Sequence, residues 1–179
     1  MKVIFGTDHA GFELKEVLLP YIASLGYEVE DRGAFSYEAD DDYPDLIAPV
    51  AREVSQDPDR TRGVVLGGSG QGEAMVANRF PNVRAVVFNG PSSAKVTEGT
   101  QYEDDVIRLA REHNDSNVLA LGARFLNEAE AKEAVRLWLE TPWSGEERHA
   151  RRLRKLDDLT EEISRSSELY RAQPPIDNS

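Results

Sequence analysis

The run Gly63-Val64-Val65-Leu66-Gly67-Gly68-Ser69-Gly70-Gln71-Gly72-Glu73 decides the fold class. Its first four residues are apolar and rich in β-branched side chains, the pattern of a strand buried on both faces. Such strands belong to parallel sheets covered by helices on each side. A loop of small residues follows, and then a helix over 73–79. The run therefore reads as strand, tight loop and helix, the junction at which open parallel sheets form their ligand crevice.

The same alternation extends in both directions. Upstream, 2–6 is a short buried strand, Asp8 can cap the helix that follows, and apolar residues recur at helical spacing from Phe12 to Leu25 until Gly26 ends it. A second strand at 27–31, an acidic loop at 32–43 and a helix opened by Pro44 and ending near Ser55 complete the first half. Downstream, strands at 83–88 and 117–121 alternate with helices at 103–112 and 128–140, the last placing Ala131, Ala134, Val135 and Trp138 on one face. Five strands in strict alternation with helices predict a Rossmann-like α/β/α sandwich around a five-stranded parallel sheet. From Glu146 the chain is highly charged, yet Leu153, Leu156, Leu159 and Ile163 keep an apolar stripe, which predicts a long C-terminal helix stopped by Pro174-Pro175. The domain boundary is drawn between 1–157 and a helical extension and tail at 158–179.

The chain has 179 residues and 40% hydrophobic content, enough for a sizeable core. It lacks an apolar run long enough to span a membrane, and its N-terminus meets Gly6-Thr7-Asp8 too early for a signal peptide. There is no cysteine, so neither a disulfide framework nor a thiolate nucleophile is available. Cytoplasm is the expected location. A net charge of −12 argues against nucleic acid or an anionic membrane as partner, and it requires that any anionic substrate be held by a local group of arginines.

The glycine loop fits neither common nucleotide signature. A P-loop needs Lys and then Ser or Thr after its last glycine, and a dinucleotide fingerprint needs glycine where Glu73 stands. Successive small residues before a helix still leave backbone amides aimed at one spot, a nest suited to an oxyanion. Glu73 in the first turn repels a bound phosphate but can take a proton from a carbon acid. Amides that stabilise an enediolate oxygen beside a carboxylate base are what a proton-transfer isomerase requires. The alternative is that Glu73 only complements the helix dipole, and that Ser69 is only a turn residue. Asp8-His9 follows the first strand at the same sheet edge, as an N-cap and a structural histidine or as site residues. His113-Asn114-Asp115 ends a helix, where a cation and a cap are expected. Arg148 and Arg152 are four residues apart on one helical side, and their two guanidinium forks can grip a phosphate; otherwise they belong to a solvated face. The three histidines lack metal-ligand spacing, and Asp40-Asp41-Asp42-Tyr43-Pro44-Asp45 reads as a solvated acidic loop, so no metal site is expected.

Taken together, Gly6-Thr7-Asp8-His9-Ala10-Gly11-Phe12, Asp42-Tyr43-Pro44, Gly67 to Glu73, Ala77-Asn78-Arg79, Arg111-Glu112-His113-Asn114-Asp115, Leu121-Gly122-Ala123-Arg124 and Arg148-His149-Ala150-Arg151-Arg152 resemble the type B ribose-5-phosphate isomerases and their galactose-6-phosphate isomerase relatives. The resemblance covers residues 1–157 in order. It implies an aldose-ketose isomerase of ribose 5-phosphate and ribulose 5-phosphate, without metal or cofactor, with active sites shared between the two subunits of a homodimer that can pair into a tetramer. In this branch the residue at Glu73 is the base, whereas another branch uses a cysteine at the position of Gly67. By the same likeness Ser69 and the amides of Gly68, Gly70, Gln71, Gly72 and Glu73 hold the enediolate, and Asp8 and His113 assist ring opening. Tyr43, Asn78 and Asn114 fall among the sugar contacts, and His9, Arg124, Arg148 and Arg152 bind the phosphate. The chain departs from the pattern after Ser92-Ser93-Ala94, where about a dozen extra residues lead to Asp105. Hexose 6-phosphates are thus alternative substrates, and a non-catalytic sugar-phosphate-binding module is the rival from another class.

Overall fold

The computed structural model describes residues 1–90 and 105–171, with side chains as far as Ser166. Ser92-Ser93-Ala94, the extra segment up to Asp104 and Pro174-Pro175 lie outside the described residues. In chain order the elements are β1 (Lys2–Thr7), a 3-10 turn (His9–Gly11), α1 (Phe12–Ser24), β2 (Glu28–Asp31), α2 (Tyr43–Gln56), β3 (Thr61–Gly67), α3 (Gln71–Ala77), β4 (Ala85–Phe88), α4 (Val106–Glu112), β5 (Val118–Gly122), α5 (Glu128–Glu140) and α6 (Glu147–Arg171). All five strands are parallel, in the order β2-β1-β3-β5-β4.

This order fixes the site. The chain leaves β1 for β2 on one side and then crosses to β3 on the other, so the connections diverge between β1 and β3. Their carboxyl ends, Thr7-Asp8 and Gly67-Gly68, open a crevice that no crossover covers. The two strands stay in register there: the Thr7 hydroxyl and the Asp8 N–H both donate to the Leu66 carbonyl, at 3.1 and 3.4 Å.

Side-chain alternation splits the core into two layers. Val3, Phe5, Val64, Leu66, Leu119 and Leu121 face a cluster with Leu18, Ile22 and Trp138, whereas Ile4, Val65, Val118 and Ala120 face Ile47, Val50, Val54, Ala74 and Ala77. Strands buried on both faces follow from this arrangement, as the apolar run at 63–66 predicts. In α2 the buried positions Ile47, Val50, Ala51 and Val54 fall at helical spacing, so Pro49 is accommodated within one continuous helix. α5 starts at a full capping box, in which the Asn127 side chain accepts from Glu130 N–H and Glu130 accepts from Asn127 N–H, both at 2.9 Å.

Lys15 is the exception to apolar burial. It is fully buried in α1, and its Nζ donates to Asp31 Oδ2 at 2.6 Å and to the Ala34 carbonyl at 2.7 Å. It lies near the rings of Phe12 and Phe35 as well. One ammonium thereby fastens the end of β2 and the start of the 32–42 loop to α1.

The chain divides into two compact units, Met1–Ser144 and Gly145–Ser179. The second is α6, which runs on through residue 157, where the sequence reading drew its boundary, because nothing in 153–160 breaks a helix. Leu156, Leu159 and Ile163 are exposed along it. Replacing Lys15 with Ala removes one partner of a largely buried ion pair and leaves Asp31 and the Ala34 carbonyl without their donor. The variant should lose about 3 kcal/mol in urea unfolding, and a loss below about 1 kcal/mol would show that the tie is not structural.

Candidate active site

Glu73 is the third residue of α3, and it is buried, with 4% of its surface exposed. Gly70 turns the chain into the helix with φ of 77°, a left-handed conformation that favours glycine, and its α-carbon lies against the backbone of β5. The Glu73 carboxylate folds back over Gly67: a β-carbon on Gly67 would collide with it. Glycine at 67 is therefore what allows a carboxylate to occupy the end of the central strand.

Two other glycines admit functional side chains in the same way. The Arg124 guanidinium lies over Gly68, where a β-carbon would come within 3.3 Å of it, and the Tyr43 ring lies over Gly72 at 2.9 Å on the same measure. Arg124 is fixed by the turn after β5, in which Ala123 N–H donates to the Gly67 carbonyl at 2.8 Å and Arg124 N–H to the Gly68 carbonyl at 3.2 Å. Tyr43 is the first residue of α2 and is partly exposed. Asp8 caps the 3-10 turn through Ala10 N–H at 2.9 Å and stays buried beside Glu73. Together with His9, Ser69 and Phe125, these residues line a cavity of about 350 Å³. That volume suits a small metabolite.

Burial pushes the Glu73 carboxyl above the ordinary carboxylate value, the nearby Asp8 charge adds to the rise, and a hydrogen bond from its own backbone N–H opposes both. The Ser69 hydroxyl accepts from Gln71 N–H at 3.4 Å, so its own hydrogen is left to donate. His9 is raised above the usual imidazole value, mainly by its hydrogen bond to Asp41, against desolvation and the Arg124 charge. The cavity is thus lined by two carboxyl groups, Glu73 and Asp8, together with Arg124 and His9.

Several expected residues are placed elsewhere. Asn78 is a bracket: its amide donates to the Ala85 carbonyl at 3.0 Å and accepts from Ala85 N–H at 2.8 Å, joining the end of α3 to β4, so its side chain is committed away from the cavity. Gln71, expected to act through its backbone amide, also lines a separate cleft with Met75 and Arg79. His113 ends α4 and Asn114 follows it, in the loop that leads into the start of β5. Asp115 in that loop pairs with Arg84 at 2.7 Å and with Arg111 at 2.8 Å, at the amino edge of the sheet. The length of β5 separates that edge from Glu73 by about 13 Å or more. Hence Asp8 and His113 do not meet within the chain. Arg148 and Arg152 lie on α6 in the second unit, where Arg148 pairs with Glu146 at 2.8 Å.

Asp41 corrects the reading of 40–45 as a solvated acidic loop. Its side chain is 12% exposed, and its Oδ1 meets His9 Nδ1 at 2.7 Å. Only tertiary folding brings these two together, and no local spacing announces a pair 32 residues apart. Ligand atoms of Asp8, His9 and Asp41 lie within 4.8 Å of one another, a donor set that suits a cation by type. Oδ1 of Asp41 is engaged with His9 and Oδ1 of Asp8 with Ala10 N–H.

With this geometry in place, the comparisons decide the family. Residues 3–156 match the family described as Ribose/Galactose Isomerase. The chain belongs to that family. It is 38% identical to ribose-5-phosphate isomerase B of Mycolicibacterium paratuberculosis over 176 residues, covering 98% of this chain and 97% of the relative. It is 37% identical to the Escherichia coli enzyme of the same name, over 85% of this chain and 91% of that one. A crystal structure of ribose-5-phosphate isomerase B from Mycoplasma genitalium with bound ribulose-5-phosphate superposes with a TM-score of 0.79 at 30% identity, covering 90% of this chain and 97% of the other. The α/β/α fold read from the sequence is the fold of this ribose/galactose isomerase family.

Because the folded protein holds Glu73 above its ordinary value, ionising it at neutral pH costs stability. The contribution is sign-definite: stability is fullest below the unfolded-state value of about 4.5 and falls as pH rises through the raised folded-state value. Glu73→Gln removes that cost. Its melting temperature should exceed that of the parent by a few degrees at pH 7, with the gap closing toward pH 4. An equal gap at both pH values would contradict a desolvated carboxylate.

Proposed function

We propose that this protein interconverts ribose 5-phosphate and ribulose 5-phosphate, with Glu73 moving a proton between carbons 1 and 2. The observation that carries the base assignment is the Glu73 carboxylate, buried over Gly67 in a cavity that contains Arg124 and His9. A carbon acid next to a carbonyl is weak, so the base must be held close while fixed donors meet the charge growing on the neighbouring oxygen. In this reading Ser69 and the loop amides of 68–72 supply those donors. A carboxyl pushed up by burial is a stronger base than an exposed one, and it can return the proton it has taken. Arg124 and His9 take the phosphate. The named relatives act on ribose 5-phosphate by name, and the solved relative holds ribulose-5-phosphate, which favours the pentose over the hexose reading. A pure phosphate-binding module is disfavoured, since two buried carboxylates repel such a ligand without returning any benefit.

Ring opening needs an acid and a base at the ring oxygen and the anomeric hydroxyl. Asp8 is available in the cavity, and His113 with Asn114 is available only from another subunit, because they lie at the far edge of their own sheet. We therefore read the active site as shared in a homodimer, with Arg148 and Arg152 as further phosphate ligands. The exposed Leu156, Leu159 and Ile163 stripe on α6 supplies apolar surface for such pairing. Among the described residues no helix is long and apolar enough to cross a membrane. The reading includes a cytoplasmic location.

The deciding assay is turnover of ribose 5-phosphate in EDTA, followed with deuterated solvent to detect exchange at carbon 2. Turnover should persist, and Glu73→Gln should reduce it on the order of a thousandfold while ribose 5-phosphate still binds by calorimetry. Near-normal turnover in folded Glu73→Gln would sink the base assignment, and faster turnover of allose or galactose 6-phosphate would move the substrate to the hexoses. For the shared site, inactive Glu73→Gln and His113→Ala proteins should regain about a quarter of parental activity after subunit exchange, since half of the dimers are mixed and each has one intact site. No recovery after verified exchange would count against a shared site.

A further inference from the structure

His9 and Asp41 form a unit that the family-level reading does not use. His9 is the first residue of the 3-10 turn behind Asp8, and its side chain is one-quarter exposed at the cavity wall. Asp41 comes from the loop ahead of α2, and its Oδ1 accepts twice from one residue: from His9 N–H at 3.2 Å and at His9 Nδ1 at 2.7 Å. Its second oxygen, Oδ2, is buried and has no hydrogen-bond partner among the described residues. Its carboxylate is therefore directed at His9.

A carboxylate can only accept, so the hydrogen at this contact must sit on Nδ1, whatever the charge of the ring. This leaves Nε2 as the ring nitrogen available to the cavity. When His9 is neutral, Nε2 presents a lone pair, which a phosphate oxygen repels. When His9 is protonated, Nε2 carries an N–H that donates to phosphate with charge assistance. We propose that Asp41 is a positioning residue for phosphate binding: by holding Nδ1 protonated and the ring in place, it makes Nε2 of His9 a charged donor to the substrate phosphate. This deepens the isomerase reading and rests on it for the identity of the ligand.

The electrostatic surroundings agree in direction. Asp41 and Asp8 favour the cation, while Arg124 and partial burial oppose it, with a net rise above the usual imidazole value. The Tyr37 ring stands edge-on to His9 at 6.2 Å and 86°, an uncharged neighbour that restricts the ring. Since the neutral form offers the wrong group to the phosphate, binding should weaken as pH rises through the His9 transition. Losing the Asp41 charge should bring that transition to lower pH.

The test separates the coupling from the function. Nitrogen-15 spectra of the unaltered protein, with His9 assigned by its absence in His9→Gln, report which ring nitrogen carries the hydrogen at high pH. The Nδ1-protonated form is expected, and a predominantly Nε2-protonated neutral ring overturns the proposal without any Asp41 variant. In Asp41→Asn the His9 transition should move to lower pH. The Michaelis constant for ribose 5-phosphate should then rise about tenfold at pH 8 with turnover changed less than about threefold, and inorganic phosphate should bind more weakly by a similar factor. An unmoved His9 transition in folded Asp41→Asn refutes the proposal, as does an equal fall in turnover with an unchanged Michaelis constant. If ribose 5-phosphate is not turned over at all but the tautomer and the shifted transition are found, the substrate assignment fails while the Asp41-His9 coupling stands.

Discussion

The packing of the Glu73 carboxylate onto the α-carbon of Gly67 is the constraint around which the site is organised. The central strand has to end at a residue without a side chain, the next residues have to turn tightly into α3, and the helix has to begin where its third residue reaches back over the strand. Gly70, with its left-handed φ, makes that turn possible, and its contact with β5 fixes the height of the loop. Once the loop is set, Arg124 and Tyr43 approach over Gly68 and Gly72. Small residues here serve mainly to let three functional side chains from three different elements converge.

The electrostatics follow from the same packing. A carboxylate that accepts only its own amide at a buried helix start is poorly solvated, and the neighbouring Asp8 charge adds to the strain, so Glu73 is held in a form that readily binds a proton. His9 is placed differently. It depends on a partner brought in by the acidic loop. That loop is in turn fastened to α1 by the buried Lys15, which holds Asp31 and the Ala34 carbonyl. The Lys15 ion pair therefore supports the segment that leads to Asp41.

His113 and Asn114 lie at the amino edge of the sheet, away from the cavity that holds Glu73. Parallel topology sends every helix back to the amino edge, so a residue at the end of α4 is separated from Glu73 by the length of a strand. Arg84 and Arg111 clamp Asp115 and so fix the turn in which His113 and Asn114 sit. Such a rigid turn is suited to presenting side chains outward.

The sequence by itself determined the layers and the crevice. Apolar runs at 2–6, 63–66 and 117–121 mark buried parallel strands, and helical spacing at Ile47 to Val54 and Ala131 to Trp138 marks the covering helices. The glycine loop before Glu73 marks the ligand edge, because local patterns follow local backbone geometry. What only the tertiary structure decided were the relations across the sheet. These are the choice of β1 and β3 as the strands between which the crevice opens, the commitment of Asn78 to β4, the removal of His113 to the opposite edge, and the pairing of Asp41 with His9. Asp41 in sequence is one acid among several, and nothing within a turn or two distinguishes it from Asp40 or Asp42. Its role comes from a close contact with a residue 32 positions away, a contact that exists only after loop, turn and strand have been folded onto one another.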